Sequence, residues 1–71
     1  MHFYEMMLRA GYSKRTLAAA AGCSAQAIYR FCRGHRPHDR LALALASVLE
    51  TTPEAVRAAC AASAEYQRQT A

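Results

Sequence analysis

The sequence predicts an all-α fold, a compact bundle of five short helices. Three observations carry that expectation. The chain has 71 residues, of which 54% are apolar, enough for one globular core and too many for a disordered segment. Much of the apolar content is alanine, the strongest helix former and a poor source of buried area per residue, which favours helices at close approach. Ile28, Val48 and Val56 are the only β-branched aliphatic residues, and no segment alternates apolar and polar residues over the length of a strand. A chain this short buries only about 60% of its unfolded surface, so stability is narrow or shared with a partner.

Each helix carries its own punctuation. The first is expected from about Phe3 to Ala10, with Phe3, Met6, Met7 and Ala10 forming an i, i+3, i+4, i+7 stripe and Gly11 as a left-handed cap. Ser13 is a suitable N-cap for a second helix over 14–21, with Leu17 and Ala20 or Ala21 facing inward. Gly22 supplies a turn, and Ser24 caps a third helix over 25–32 that Gly34 ends, with Ile28 and Phe31 inward. The loop "HRPHDR" follows, and Pro37 stops helix propagation there. His38 or Asp39 starts a fourth helix whose stripe is Leu41, Leu45, Val48 and Leu49. Thr52 caps the fifth, and Pro53 takes its first position, where a missing N–H costs nothing. That helix runs to about Ala62 or beyond, into a helix-prone tail over 57–71. No internal repeat or linker interrupts the chain, so residues 1–71 are expected to form one domain.

Charge is distributed unevenly. The net charge of +4 separates into +6 over residues 9–40 (Arg9, Lys14, Arg15, Arg30, Arg33, Arg36 and Arg40 against Asp39) and −2 elsewhere (Arg57 and Arg68 against Glu5, Glu50, Glu54 and Glu65). All nine basic residues except Lys14 are arginine, whose planar fork suits phosphates and base edges. The positive half is the half that contains "TLAAAAGCSAQAIYRFCRG". Two helices of about eight residues joined by a short glycine-containing turn match helix-turn-helix geometry, in which the second helix enters the DNA major groove. Ala18 is small enough for the third helix to cross close over the second. Leu17, Ile28 and Phe31 lock the crossing, and Ala25, Gln26, Tyr29, Arg30 and Arg33 face out.

At these residues the chain resembles the phage repressor/Cro-like helix-turn-helix family, that is, a lambda repressor-like DNA-binding domain. The resemblance runs without a gap from Tyr12 to about Val56, through "YSKRTLAAAAGCSAQAIYRFCRG", Pro37, "LALALASVL" and "TPEAV". It implies that Ala25, Gln26, Tyr29 and Arg30 stand at base-reading positions, Gln26 suited to adenine and Arg30 to guanine. It implies phosphate contacts from Lys14, where the family usually has Gln, and from Ser24 and Arg33. Arg15, His35, Arg36, His38 and Arg40 are likewise expected to contact phosphate along the flanking strand. Two departures stand out: Cys32 replaces an acidic residue common before the closing glycine, and Ala25 replaces a long polar side chain.

The expected function is that of a sequence-specific transcriptional regulator, a repressor that occupies a double-stranded operator and blocks polymerase. The competing reading is a helical protein-binding module (an antitoxin, an anti-repressor or an inhibitor of a host regulator) that turns the same basic face to an acidic protein. Enzymatic function is not expected, since no nucleophile partners the histidines and few carboxylates are available. The Cys32-His35-His38 spacing is not that of a structural zinc site, so no metal, cofactor or small-molecule ligand is expected. The odd number of cysteines fits a reducing compartment. With neither a signal peptide nor an apolar run of about 18–20 residues, a cytoplasmic, nucleoid-associated protein is expected. Val56, Ala59, Cys60, Ser63 and Tyr66 form a small-residue stripe that can either join a homodimer or cover the first helix of its own chain.

Overall fold

In the computed structural model, which describes residues 1–70, five helices follow in order: α1 (Phe3–Arg9), α2 (Lys14–Ala21), α3 (Ala25–Cys32), α4 (Asp39–Val48) and α5 (Pro53–Thr70). The described residues contain no strand. The start of each helix is explained by a side-chain acceptor. Ser13 and Thr16 form a reciprocal capping box, the Thr16 N–H donating to Ser13 Oγ at 3.2 Å and the Ser13 N–H to Thr16 Oγ1 at 2.8 Å. Ser24 Oγ accepts from the Ala27 N–H and Thr52 Oγ1 from the Ala55 N–H, both at 3.1 Å. Histidine does the same for the other two helices. Nδ1 of His2 accepts from the Glu5 N–H and Nδ1 of His38 from the Leu41 N–H, each at 3.3 Å.

Helix ends follow one rule. At α1, α3 and α4 the amide two residues past the cap reaches back to a carbonyl of the last turn: Tyr12 to Met7, His35 to Arg30, Thr51 to Ala46. The residue before each donor takes positive φ. Glycine fills that position at Gly11 and Gly34, but α4 uses Glu50 at φ 55°, a position without a glycine signal in the sequence.

The core is built from Phe3 and Met7 of α1, Leu17 and Ala18 of α2, Ile28 and Phe31 of α3, Ala42, Leu45 and Ala46 of α4, and Val56, Ala59 and Cys60 of α5. α2 packs on α3 and α4, and α5 covers α1, α3 and α4. The Phe3 and Phe31 rings meet edge to face, centroids 5.9 Å apart. One expectation needs correction. Ala10 caps α1 and is exposed, because the seven-residue helix ends before its stripe completes a second turn. On α2 the alternative of Ala20 or Ala21 resolves to Ala21, which packs half-buried against the core while Ala20 is exposed, and Ala18 is buried beside Leu17. α5 continues through the helix-prone tail to Thr70, in line with the expected run to Ala62 or beyond.

Four of the five residues of the α5 stripe pack within the chain, and the fifth, Tyr66, stays exposed. Val56, Ala59, Cys60 and Ser63 are buried against their own bundle. The Ser63 hydroxyl accepts from the Phe3 N–H at 2.8 Å and donates to the Ala59 carbonyl at 3.0 Å. It thereby satisfies an amide at the start of α1 that has no partner within its own helix. One turn away, Gly34 lies so close to α5 that an added Cβ would fall 2.5 Å from Ala64 Cα and Cβ.

Three predictions follow from this packing. Gly34→Ala combines the strain of φ +104° with collision against Ala64, and it should cost at least about 3 kcal/mol in urea unfolding. Gly11→Ala, with open space around its Cβ position, should cost only about 1–2 kcal/mol for its left-handed backbone; equal losses would contradict the close approach. Ser63→Ala leaves the Phe3 amide buried and unpaired, and it should cost about 1–3 kcal/mol. Burial, followed by the nearby Cys32 and partly offset by Arg36, pushes the Cys60 thiol from 9.0 up to about 12. The folded chain therefore keeps this proton where the unfolded chain loses it. That contribution is complete below the unfolded value and is lost as pH rises through the folded one. Native protein should lose stability more steeply than Cys60→Ala between about pH 9 and 11, and parallel curves would refute the assignment.

Candidate nucleic-acid interface

α2 and α3 are joined by Gly22 at φ +77°, half-buried Cys23 and the cap Ser24. The amide of Cys23 donates to the Ala18 carbonyl at 2.9 Å, which closes the end of α2. Ile28 and Phe31 then turn inward, and the opposite side of α3 is left to solvent. Ala25, Gln26, Tyr29, Arg30 and Arg33 are all exposed, Tyr29 to 47%. The four residues expected at base-reading positions therefore share one uncovered face of one helix.

The basic residues around it divide into two groups by their pairing. Arg9 pairs with Glu5, Arg68 with Glu65, and Arg57 of α5 with Asp39 at the start of α4. Among the described residues Lys14, Arg15, Arg30, Arg33, Arg36 and Arg40 make no ion pair. The only carboxylate of the basic half, Asp39, is thus engaged by an arginine from outside it. Surface pairs of this kind add little stability, but this one removes a negative charge from competition with an incoming anion. Arg15, Arg33, His35, Arg36, His38 and Arg40 are exposed, and so is Ser24, whose hydroxyl is shared with the cap of α3. His38 is likewise tied by its cap to the first turn of α4.

Lys14 departs from the picture of a free phosphate contact. It is half-buried, and its Nζ lies 4.9 Å from the centre of the Tyr4 ring and 5.8 Å from that of Tyr29. The Arg33 guanidinium lies 5.7 Å from the same Tyr29 ring. Both cations thus lie near the Tyr29 ring, and Tyr4 is brought to the edge of the surface. Tyr4 is not among the residues that the sequence singles out for this surface. The signal was available in α1, where Tyr4 falls off the buried Phe3–Met7 line.

The cysteines do not form an ionised cluster. Burial raises the thiols of Cys23 and Cys32 above their ordinary value, with Lys14 partly opposing it at Cys32. Among the described residues no three His, Cys, Asp or Glu side chains converge as a metal ion needs. No helix among them is long and apolar enough to cross a membrane.

Comparison with known proteins yields one match. Residues 3–59, about four-fifths of the chain, fit a family model described as a helix-turn-helix domain. Neither a curated protein nor a solved structure gives a significant match. Residues 3–59 span α1 to α4 and the buried first half of α5, so the match takes in the Leu17–Ile28–Phe31 crossing, the exposed face of α3 and the unpaired basic flank together. The chain belongs to the helix-turn-helix domain family.

Proposed function

We propose that the chain is a sequence-specific regulator that sets α3 into the major groove of an operator and blocks transcription from the overlapping promoter. One observation carries the reading: among the described residues Lys14, Arg15, Arg30, Arg33, Arg36 and Arg40 have no carboxylate partner, whereas Arg9, Arg57 and Arg68 are paired. An unpaired cationic surface with planar donors is what a polyphosphate backbone neutralises, with release of condensed counterions.

Roles divide by reach. Gln26 and Arg30 supply base discrimination, an amide for adenine and a guanidinium fork for guanine. Ala25 offers a methyl for contact with thymine, and Tyr29 stands beside them as a rigid ring. Arg15, Ser24, Arg33, His35, Arg36, His38 and Arg40 hold the backbone and set register, which positions the helix without specifying sequence. Lys14 joins them from the start of α2. Two copies on successive major grooves, about 34 Å apart, would double the footprint. Because the α5 stripe is occupied inside each chain, such copies meet through another surface or cooperate on DNA alone.

Selection of a binding site from random duplexes, followed by titration, tests the proposal. Arg30→Ala should cost about 1–3 kcal/mol on the selected site and relax its sequence preference. Arg36→Ala should weaken all duplexes alike and lower the salt slope by about one. Six or more phosphate contacts predict a loss of about 10³ in affinity from 50 to 200 mM salt. A flat salt response, or an unchanged affinity for Arg30→Ala, would favour a protein partner instead.

A further inference from the structure

Beside the α3 face, the start of α1, the start of α2, the end of α3 and the tail of α5 enclose an open groove of about 520 Å³. That volume lies within the range of small-molecule sites, about 300–1,000 Å³. Its walls combine two kinds of group. Rings come from Tyr4, Tyr29, Tyr66 and His2, the last two in ring contact with centroids 5.0 Å apart. Charge comes from Lys14 and Arg33; among the described residues neither pairs with a carboxylate and no acidic residue lines the groove. Both cations already lie against the Tyr29 ring, and Lys14 also faces Tyr4.

We infer that this groove binds a small planar aromatic anion, its ring among the tyrosines and its carboxylate on Lys14 and Arg33. The ring complements the aromatic walls by offset or edge contact. An anionic group gains charge-assisted hydrogen bonds from two donors that lack partners. Neither half is sufficient alone: a bare anion makes no use of the aromatic walls, and a neutral ring leaves Lys14 and Arg33 without a carboxylate. This departs from the sequence-based expectation of no small-molecule ligand, because Tyr4 and Tyr66 lie far apart in the chain and meet only at the groove.

A regulatory consequence rests on the proposed reading of the DNA face. Lys14, Tyr29 and Arg33 belong to both surfaces, so ligand and duplex compete for them. The chain then acts as a metabolite-responsive binder, released from DNA as the aromatic anion accumulates.

Indole-3-acetate is a suitable probe, with acetate and indole as controls that carry only the charge or only the ring. Amide shifts are followed by NMR on the full chain without DNA. Indole-3-acetate should saturate shifts around residues 14, 29, 33 and 66 with a Kd of about 1 mM or tighter, and the controls should bind at least about tenfold more weakly. Lys14→Gln and Tyr66→Ala should each weaken the probe about tenfold or more, with the fold checked by circular dichroism. Arg36→Ala, outside the groove, should leave it unchanged. No saturable shift, or equal binding of indole and indole-3-acetate, overturns the site. In a duplex titration, saturating probe should raise the apparent Kd for DNA, and Tyr66→Ala should abolish that effect while still binding DNA. Unchanged DNA affinity with the probe bound overturns the competition. Failure to bind any duplex without the probe overturns the DNA reading and leaves the groove to the NMR result.

Discussion

The hydrogen bond from the Phe3 amide to Ser63 Oγ joins the two ends of the chain, sixty residues apart, inside the bundle. Its consequences reach most of the surface that matters. The bond satisfies an amide at the start of a seven-residue helix, too short to be stable alone. Through the same residue the Phe3 ring is set edge-on to Phe31 of α3. The back of α3 is therefore held by both terminal helices, and its front is free. Ser63 keeps no unsatisfied proton of its own, since it donates to the Ala59 carbonyl. Small residues on either side make this approach possible: Gly34 at the end of α3 lies against Ala64 of α5 with no space for a side chain.

Electrostatics are organised on the same plan. Carboxylates at the periphery are matched with peripheral arginines, Glu5 with Arg9 and Glu65 with Arg68. Asp39, the one acid within the basic half, is turned to Arg57. The six remaining cations are left without a carboxylate among the described residues, and all but half-buried Lys14 are exposed, so their mutual repulsion works slightly against folding while their field attracts a polyanion. Interaction strength and fold stability are thus drawn from different residues. The core is apolar and alanine-rich, and the interface is arginine-rich and contributes nothing to the core. Lys14 is the exception, a cation partly drawn between the Tyr4 and Tyr29 rings.

Caps explain why short helices persist in so small a bundle. Ser13, Ser24 and Thr52 were legible in advance, because hydroxyl side chains before an apolar run offer an acceptor with almost no alternative use. His2 was not, and His38 was legible only as a boundary, because an imidazole acceptor has many other uses in a loop. Glu50 was equally hidden. A left-handed turn announces itself through glycine, and here a charged residue takes that conformation because the Thr51 amide and the Ala46 carbonyl close the turn around it.

Local signals by themselves determined the helices, the α2–turn–α3 unit and the outward face of α3. Each depends on residues within one or two turns of each other: a cap, a glycine, an apolar residue every third or fourth position. The uneven distribution of charge was legible for the same reason, being a property of composition along the chain. Tertiary structure alone decided the rest. It turned the Val56–Ser63 stripe inward, onto the bundle of its own chain. It also brought Tyr4, Lys14, Tyr29 and Tyr66 around one groove. These outcomes depend on contacts between segments tens of residues apart, and no periodicity within a single helix encodes which distant surface will cover it.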